Sequence, residues 1–454
     1  MLKKRIALLM ATMFAVTSMV GCGSTSEIAT TEIGNEKVAT AENTMTASGA
    51  TEVLFWHSMS GTNGEKLMKI VDGFNASQSE VVVVAETQGT YDESTSKFFN
   101  MNGGKGTPAI IQIGEQNLQS MIDSGLVASV TDLINEYQFD QVQLLPQAID
   151  FYSVNDTMYA MPFNISSPVL FYNVEALEKA GISEVPSTYE EILAAGESIS
   201  AANDGMKAFS KPVYGYALEQ MVTTMGGYVV NNDNGRSARA TEVAYQPELT
   251  RIFTWISDVI KAGQFVNYGT NSDNLITGFN QGEIAMFITT SARAAAIVES
   301  APFEVGITAL PVFEGMEPQG VYAAGGAMCV AANLDAETNA AAMKFLEYAT
   351  SAEVQATWAG DTGYFPVNIN SYETETLKKI YDEKPQLRIA ADQLLNSKQT
   401  IATAGPLISL LPQLRNDLQA AEEMLFNGGD VQSAIDSAVA NTNKQIETAN
   451  KSIR

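Results

Sequence analysis

The stretch MPFNISSPVLFYN, residues 161–173, is a long extended segment in the first half of the chain. Apolar runs that fit strands precede it at 53–56, 81–85 and 109–113, and the pattern between the first two runs is helical. Strands that alternate with helices are typical of a parallel α/β sheet. The sequence therefore predicts an α/β fold around this segment.

The chain beyond residue 187 is predicted to be mostly helical up to about residue 275 and again at its end. Thr188 and Glu191 have the spacing of a capping box, which predicts that a helix begins after Thr188. The apolar spacing in 414–425 predicts one buried helix face, made by Leu414, Leu418, Ala421 and Leu425. Strand-like runs return at 285–289, 304–310 and 327–330.

The first 21 residues have the pattern of a bacterial lipoprotein signal peptide. Lys3, Lys4 and Arg5 precede an apolar run over 7–16, and small residues then lead to Cys22. We expect Cys22 to carry lipid, and an ordinary secretory signal with a chance cysteine is the alternative. Residues 22–50 are rich in Ser, Thr, Ala and Glu and contain no aromatic residue, so they are predicted to form a disordered membrane tether.

The charge of the chain excludes one class of partner. The 454 residues carry a formal net charge of −26. Since the first 21 residues hold three basic and no acidic side chains, the remainder carries −29. A uniformly acidic protein binds nucleic acid poorly, and this charge favours solubility at a crowded cell surface.

Few residues offer catalytic or metal-binding chemistry. His57 is the one histidine, which excludes zinc sites built on two or more histidines, and we expect a structural role for it near a strand end. Cys329 lies in an apolar run and is expected to be buried and unpaired. No phosphate-binding Walker loop, nucleophile elbow or zinc-protease helix is present, and no cofactor is predicted.

Seven short motifs occur in the order found in one known family. They are FWHSM at 55–59, GTY at 89–91, PAIIQ at 108–112, PFNISSPVLFYN at 162–173, AGGA at 324–327, TGYFP at 362–366 and LPQLR at 411–415. Together they resemble the extracellular solute-binding proteins of ABC importers, the family that includes maltose-binding protein, and within it the glycerol-3-phosphate receptors. The resemblance covers about residues 53–445.

This resemblance implies a two-lobed α/β fold of the type II, maltose-binding-protein-like class, with a ligand held between lobes that move about a hinge. The expected lobes are 51–165 with 290–325 for the first, and 166–289 with 326–454 for the second. Crossings between them are expected near 163–171, 287–291 and 325–330.

The motifs also imply a set of ligand contacts. The expected contacts are Tyr91, Glu115, Ser166, Ser291 (or Thr290 if the alignment slips by one), Gly326, Tyr364 and Arg415. The family's tryptophan segment corresponds here to 214–219, which lacks tryptophan, so Tyr216 is the candidate for stacking and the pocket is expected to differ in shape. Pro412 places Arg415 in or near a first helical turn, where an arginine and free N–H groups together favour an anion.

The resemblance implies a membrane-tethered, monomeric receptor without enzymatic activity on the outer face of the bacterial membrane. It would capture glycerol 3-phosphate or a glycerophosphodiester and deliver it to an ABC permease. A receptor for a neutral mono- or oligosaccharide is the close alternative. A secreted hydrolase and an adhesive surface lipoprotein are remote alternatives. For each site residue a purely structural role is the competing interpretation, such as a solvated surface position for Arg415.

Overall fold

A computed structural model describes residues 49–139 and 143–452 of the chain. The predicted signal peptide, Cys22 and nearly all of the predicted tether therefore lie outside the described residues. In the described ranges, no helix combines the length and the apolar character that crossing a membrane requires.

Strands and helices alternate along most of this length. The strands are β1 Thr51–His57, β2 Val81–Thr87, β3 Ile110–Gly114, β4 Ser153–Val154, β5 Thr157–Met158, β6 Met161–Ser166, β7 Pro168–Asn173, β8 Lys207–Ser210, β9 Ile284–Thr290, β10 Val305–Thr308 and β11 Ala324–Val330. The helices are α1 Gly61–Ser77, α2 Tyr91–Met101, α3 Leu118–Ser124, α4 Val130–Tyr137, α5 Pro146–Tyr152, α6 Val174–Lys179, α7 Tyr189–Ala202, α8 Gly215–Thr224, α9 Asn231–Asn234, α10 Gln246–Lys261, α11 Ser272–Asn280, α12 Ala294–Ser300, α13 Ala336–Ala349, α14 Ala352–Thr362, α15 Glu375–Glu383, α16 Gln386–Leu395, α17 Leu411–Phe426 and α18 Val431–Ser452. Short 3₁₀ turns occupy Glu115–Asn117, Ser291–Arg293 and Ile369–Glu373.

The strands form two main sheets. The first has the order β2-β1-β3-β11-β6, and the second has the order β10-β7-β9-β8. Neither sheet is wholly parallel as the alternation alone predicts, because β11 runs antiparallel to β3 and β6, and β7 runs antiparallel to β9 and β10. The antiparallel strands are those that carry the chain between the sheets. The local pattern of apolar residues does not depend on this path, so it could not predict the strand directions.

The segment 161–173 divides between the two sheets. It forms β6 at the edge of the first sheet and β7 inside the second, with only Ser167 between them. The predicted first crossing therefore falls where the chain changes sheets. The crossing near 325–330 coincides with β11, which returns the chain from β10 in the second sheet to the first.

The predicted lobe boundaries differ from the sheet assignments in the second half of the chain. The expected first-lobe segment 290–325 includes β10, which pairs with β7 in the second sheet, although α12 within that segment packs against α14. The expected second-lobe segment 326–454 begins in β11 of the first sheet and continues into α13, which packs on β1. Helices α17 and α18 pack on α8 and α10 beside the second sheet. The chain thus returns to the first sheet before its last helices.

Several local predictions are confirmed. His57 ends β1 and is buried, and Cys329 is fully buried in β11, with no disulfide among the described residues. Helix α7 begins with the predicted capping box of Thr188 and Glu191. The predicted apolar stripe of α17 is buried along its whole length, at Leu414, Leu418, Ala421 and Leu425.

Candidate functional site

A cavity of about 220 Å³ lies where the two sheets face each other. Its walls come from the ends of β6, β9 and β11 and from the N-terminal parts of α2, α8 and α17. The lining residues are Tyr91, Glu115, Gln116, Ser166, Pro168, Pro212, Tyr214, Tyr216, Ala217, Ser272, Ile288, Thr289, Thr290, Gly325 and Arg415. Five residues predicted from separate motifs are thus brought together, namely Tyr91, Glu115, Ser166, Tyr216 and Arg415.

Arg415 is the one charged donor on the cavity wall, and it is only 3% exposed. Its Nε and Nη2 atoms donate to the Glu219 carboxylate at 2.9–3.1 Å. Nη2 also donates to Oε1 of Glu115 at 2.9 Å. Burial acts to lower the pKa of Arg415, but the two carboxylates raise it well above its usual range. The guanidinium is therefore permanently charged and rigidly held, not a solvated surface group.

Two carboxylates, those of Glu115 and Glu219, pair with the single guanidinium of Arg415, so the site has more hydrogen-bond acceptors than this one cation needs. Oε2 of Glu115 accepts from the backbone N–H of Gly325, and Oε2 of Glu219 accepts from the hydroxyl of Tyr322 at 2.8 Å. Glu219 is fully buried and is thus a support of Arg415. Glu115 lines the cavity, so a bound anion can replace it as the acceptor of the hydrogen bond from Nη2 of Arg415.

Aromatic rings cover the guanidinium. Its central carbon lies 5.2 Å from the ring centroid of Tyr216 and 5.9 Å from that of Tyr214. Both distances fall within the range of cation–π attraction. Both tyrosines belong to 214–219, the segment that corresponds to the family's tryptophan segment, and both line the cavity beside Arg415.

Hydroxyl groups form another part of the cavity wall. Oγ1 of Thr290 donates to Oγ of Ser166 at 3.0 Å, which joins β9 to the end of β6. Ser291 is fully buried and does not line the cavity, whereas Thr290 does. The structure thus places the alternative residue, Thr290, at the position expected for Ser291.

Two further predicted residues lie behind the lining. Gly326 is buried in β11, and a Cβ atom there would stand 2.7 Å from the hydroxyl of Tyr91 and 2.3 Å from Oδ1 of Asn164. Tyr364 stacks on Trp358 with ring centroids 5.5 Å apart, and its phenol interacts with Asn164. Neither residue is on the cavity wall, so both support the site from behind.

Sequence reasoning missed Glu219 and Asn164. Glu219 lies three residues after Tyr216, a spacing that puts both on one face of α8 and could have marked it. Asn164 lies inside the motif at 162–173, but its hydrogen-bond partners come from β3 and α2, which are distant in the sequence. The motif alone therefore does not reveal its role. No group of three or more His, Cys, Asp or Glu within the described part of the chain could hold a metal ion.

Comparison with known proteins agrees with this architecture. The family model described as bacterial extracellular solute-binding protein matches residues 69–388. The chain belongs to the bacterial extracellular solute-binding protein family. Its fold is that of the maltose-binding-protein-like periplasmic binding proteins.

Two curated relatives of this solute-binding protein span almost the same length. The sn-glycerol-3-phosphate-binding periplasmic protein UgpB of Brucella melitensis is 28% identical over 412 residues, which is 89% of this chain and 95% of the relative. UgpB of Yersinia pseudotuberculosis is 28% identical over 418 residues, with the same shares of the two chains.

Solved structures show the same fold at lower identity. UgpB from Mycobacterium tuberculosis in complex with glycerophosphocholine has a TM-score of 0.74 at 20% identity, covering 88% of this solute-binding protein and all of that chain. The GacH receptor of Streptomyces glaucescens, solved unliganded and with acarbose, has a TM-score of 0.71 at 21% identity, covering 87% and 97%.

Proposed function

We propose that the protein is the receptor of an ABC importer and captures glycerol 3-phosphate or a glycerophosphodiester between its lobes. The observation that carries this proposal is the convergence of Arg415 with the hydroxyls of Tyr91, Ser166 and Thr290 around one cavity. Arginine offers donors in a fork that matches phosphate oxygens, and neutral hydroxyls complete the shell of an anion. The named function of the full-length relatives supports the same ligand class.

Glu115 then has a defined part in binding. Its carboxylate can accept from a glycerol hydroxyl while its contact with Arg415 is replaced by a phosphate oxygen. The cavity of about 220 Å³ is below the usual range for drug-sized ligands, which suits a small polar molecule. The site residues act by binding alone, and transport energy comes from the partner ATPase. Membrane anchoring through Cys22 and a monomeric state belong to the same proposal.

A neutral sugar is the second candidate ligand. It is favoured by the double pairing of Arg415, because two carboxylates already satisfy the charge that a phosphate would need. Tyrosine faces beside carboxylates also suit sugar rings and hydroxyls. Acarbose-bound GacH, which shares the fold, is consistent with this alternative.

Thermal unfolding against a panel of ligands distinguishes the two candidates. We expect glycerol 3-phosphate or glycerophosphocholine at ~100 times its dissociation constant to stabilise the protein by ~2.7 kcal/mol, and maltose, trehalose and inorganic phosphate to do so much less. Stabilisation by the sugars alone would replace the phosphate ligand with a sugar. Stabilisation by no member of the panel would contradict both.

Arg415→Lys is the variant that tests the anion site. Removing the charge altogether would leave Glu219 buried and unpaired, which destabilises the fold by itself. Lysine keeps the charge but cannot donate two parallel hydrogen bonds to a phosphate as a guanidinium does. We expect phosphate ligands to bind at least ~10-fold more weakly, measured by titration calorimetry. Arg388→Lys, at an exposed arginine on α16, is the matched control and should bind as the wild type does.

A further inference from the structure

A chain of hydrogen bonds runs from the main chain to the hydroxyl of Tyr91. The backbone N–H of Ser58 donates to Oε1 of Gln112 at 2.9 Å. Nε2 of Gln112 donates to Oδ1 of Asn164 at 2.8 Å. Nδ2 of Asn164 donates to the Tyr91 oxygen at 3.0 Å. Gln112 and Asn164 are both fully buried, so solvent does not compete with these bonds.

The direction of this chain follows from its first member. A side-chain amide can present either its oxygen or its nitrogen to a neighbour, and the choice is settled by the hydrogen-bond network. The N–H of Ser58 can only donate, so Gln112 must turn its oxygen to it and its nitrogen to Asn164. Asn164 must then turn its oxygen to Gln112 and its nitrogen to Tyr91. The Tyr91 oxygen is therefore an acceptor in this network.

The proton of Tyr91 is left without a strong partner. Among the described residues, the acceptor recorded for it is the thioether sulfur of Met59, at 3.8 Å, and a thioether is a weak acceptor. Burial raises the pKa of Tyr91 well above its usual range, so the hydroxyl keeps its proton. Since Tyr91 lines the cavity, a ligand oxygen there is a better acceptor than the sulfur.

Gly326 makes this arrangement sterically feasible. Asn164 lies opposite Gly326 in the pairing of β6 with β11, and Gln112 approaches from β3 on the other side of β11. A Cβ atom at 326 would stand 2.3 Å from the amide oxygen of Asn164 and 2.7 Å from the Tyr91 hydroxyl. Because glycine has no side chain, there is room at position 326 for the amide of Asn164 and the phenol of Tyr91 to form their hydrogen bond.

We propose that Asn164 is a positioning residue that presents the Tyr91 hydroxyl to the cleft as a hydrogen-bond donor, so that the ligand must offer an oxygen acceptor at that point. This inference rests on the proposed function, because it takes the cleft as the ligand site. The acceptor can be a phosphate oxygen or the oxygen of a sugar.

A double-mutant cycle tests the inference. Asn164→Asp keeps the acceptor for Gln112 but turns a second acceptor to Tyr91, which draws the phenolic proton away from the cleft. The dissociation constants of the wild type, Asn164→Asp, Tyr91→Phe and the double variant are measured by titration calorimetry with the panel compound that binds the wild type tightest. Any general effect of the new carboxylate is common to both backgrounds and cancels in the cycle.

We expect Tyr91→Phe and Asn164→Asp each to weaken binding ~10-fold or more. In the Tyr91→Phe background, Asn164→Asp should cost at least fivefold less than it does in the wild type. Equal costs in the two backgrounds would overturn the inference while leaving the proposed function intact. Failure of the wild type to bind any panel compound would overturn the proposed function and the inference with it.

Two further variants guard against a loss of structure. Asn164→Leu carries no charge and is put through the same cycle, so that the inference remains falsifiable if Asn164→Asp does not fold. Asn234→Asp is the matched control, because Asn234 is also fully buried and accepts from the N–H groups of Val229 and Val230 outside the cavity lining. Its dissociation constant should stay within twofold of the wild-type value.

Discussion

At the scale of single residues, the position of Arg415 depends on a glycine in another helix. A Cβ atom at Gly215 would lie 2.6 Å from both the Cα and the carbonyl oxygen of Arg415. These backbone atoms cannot move aside to make room for a methyl group as the end of a flexible side chain can. Gly215 therefore lets the start of α8 approach α17 closely enough for Glu219 and Arg415 to pair.

Gly215→Ala should destabilise the protein by ~1–3 kcal/mol, because the added methyl group overpacks a contact between two backbones. It should also weaken ligand binding, since α17 must shift and carry Arg415 with it. Urea unfolding and calorimetry measure the two effects. If this variant had the stability and affinity of the wild type, the contact between Gly215 and the backbone of Arg415 would not be as tight as we infer.

At the scale of elements, α7 begins with a charged cap. Oε2 of Glu191 accepts from the backbone N–H groups of Ser187 and Thr188 at 2.7 and 3.0 Å. These bonds hold the pKa of Glu191 below its ordinary value of 4.5. Because the pKa is lower in the folded chain than in the unfolded one, this cap stabilises the fold above pH 4.5 and stops doing so as pH falls through the folded value.

Glu191→Gln should therefore be slightly less stable than the wild type near pH 7, by a few tenths of a kcal/mol at this solvent-exposed site. The difference should disappear as pH is lowered from about 5 to 3, because only the wild type loses a charge there. Urea midpoints across this range measure it. Glu197→Gln, the same exchange elsewhere on α7, is the control, and a difference that persists at pH 3 would contradict the assignment.

Elements were largely predictable because their signals are local. Alternating apolar runs, the Thr188 cap and the stripe on α17 each lie within about a dozen consecutive residues, and each is found where expected. The strand directions and the sheets that β10 and β11 join were not predictable in this way, since they depend on pairing with strands that are distant in the sequence. In the site, residues within motifs were found, whereas Glu219 became visible only with its partner Arg415 in place.

In the molecule as a whole, Arg236 joins segments of the chain that pack beside different sheets. Its Nε, Nη1 and Nη2 atoms donate to the carbonyls of Gly405, Asp150, Ser153, Phe151 and Ala404. Asp150 and Phe151 lie in the last turn of α5, which packs on the first sheet. The segment after α9 is instead bonded to α18, beside the second sheet. A single guanidinium thus joins the segment after α9 to the end of α5 and to residues 404–405, through main-chain groups that side-chain substitution cannot remove.

Arg236→Lys should destabilise the protein by ~2–3 kcal/mol, because an ammonium cannot reach five divergent carbonyls and some are left unpaired. We also expect a larger radius of gyration without ligand in solution scattering, because the contacts between the segment after α9 and α5 are weakened. Arg388→Lys is the control, because Arg388 pairs with Asp392 within α16 at an exposed site and should contribute little. Unchanged scattering in Arg236→Lys would show that Arg236 does not restrain the segments that it joins.

The amide chain behind Tyr91 gives the cleft a fixed polarity. The two amides are hydrogen-bonded to each other and can reverse only together, so two opposite arrangements would be open to them if nothing anchored the chain. The N–H of Ser58 selects one during folding, so an incoming ligand meets a surface whose donor is already chosen. A protein engineer who wished to build a sensor for an analyte of the opposite polarity would therefore begin at Gln112, a residue that lies outside the cavity lining.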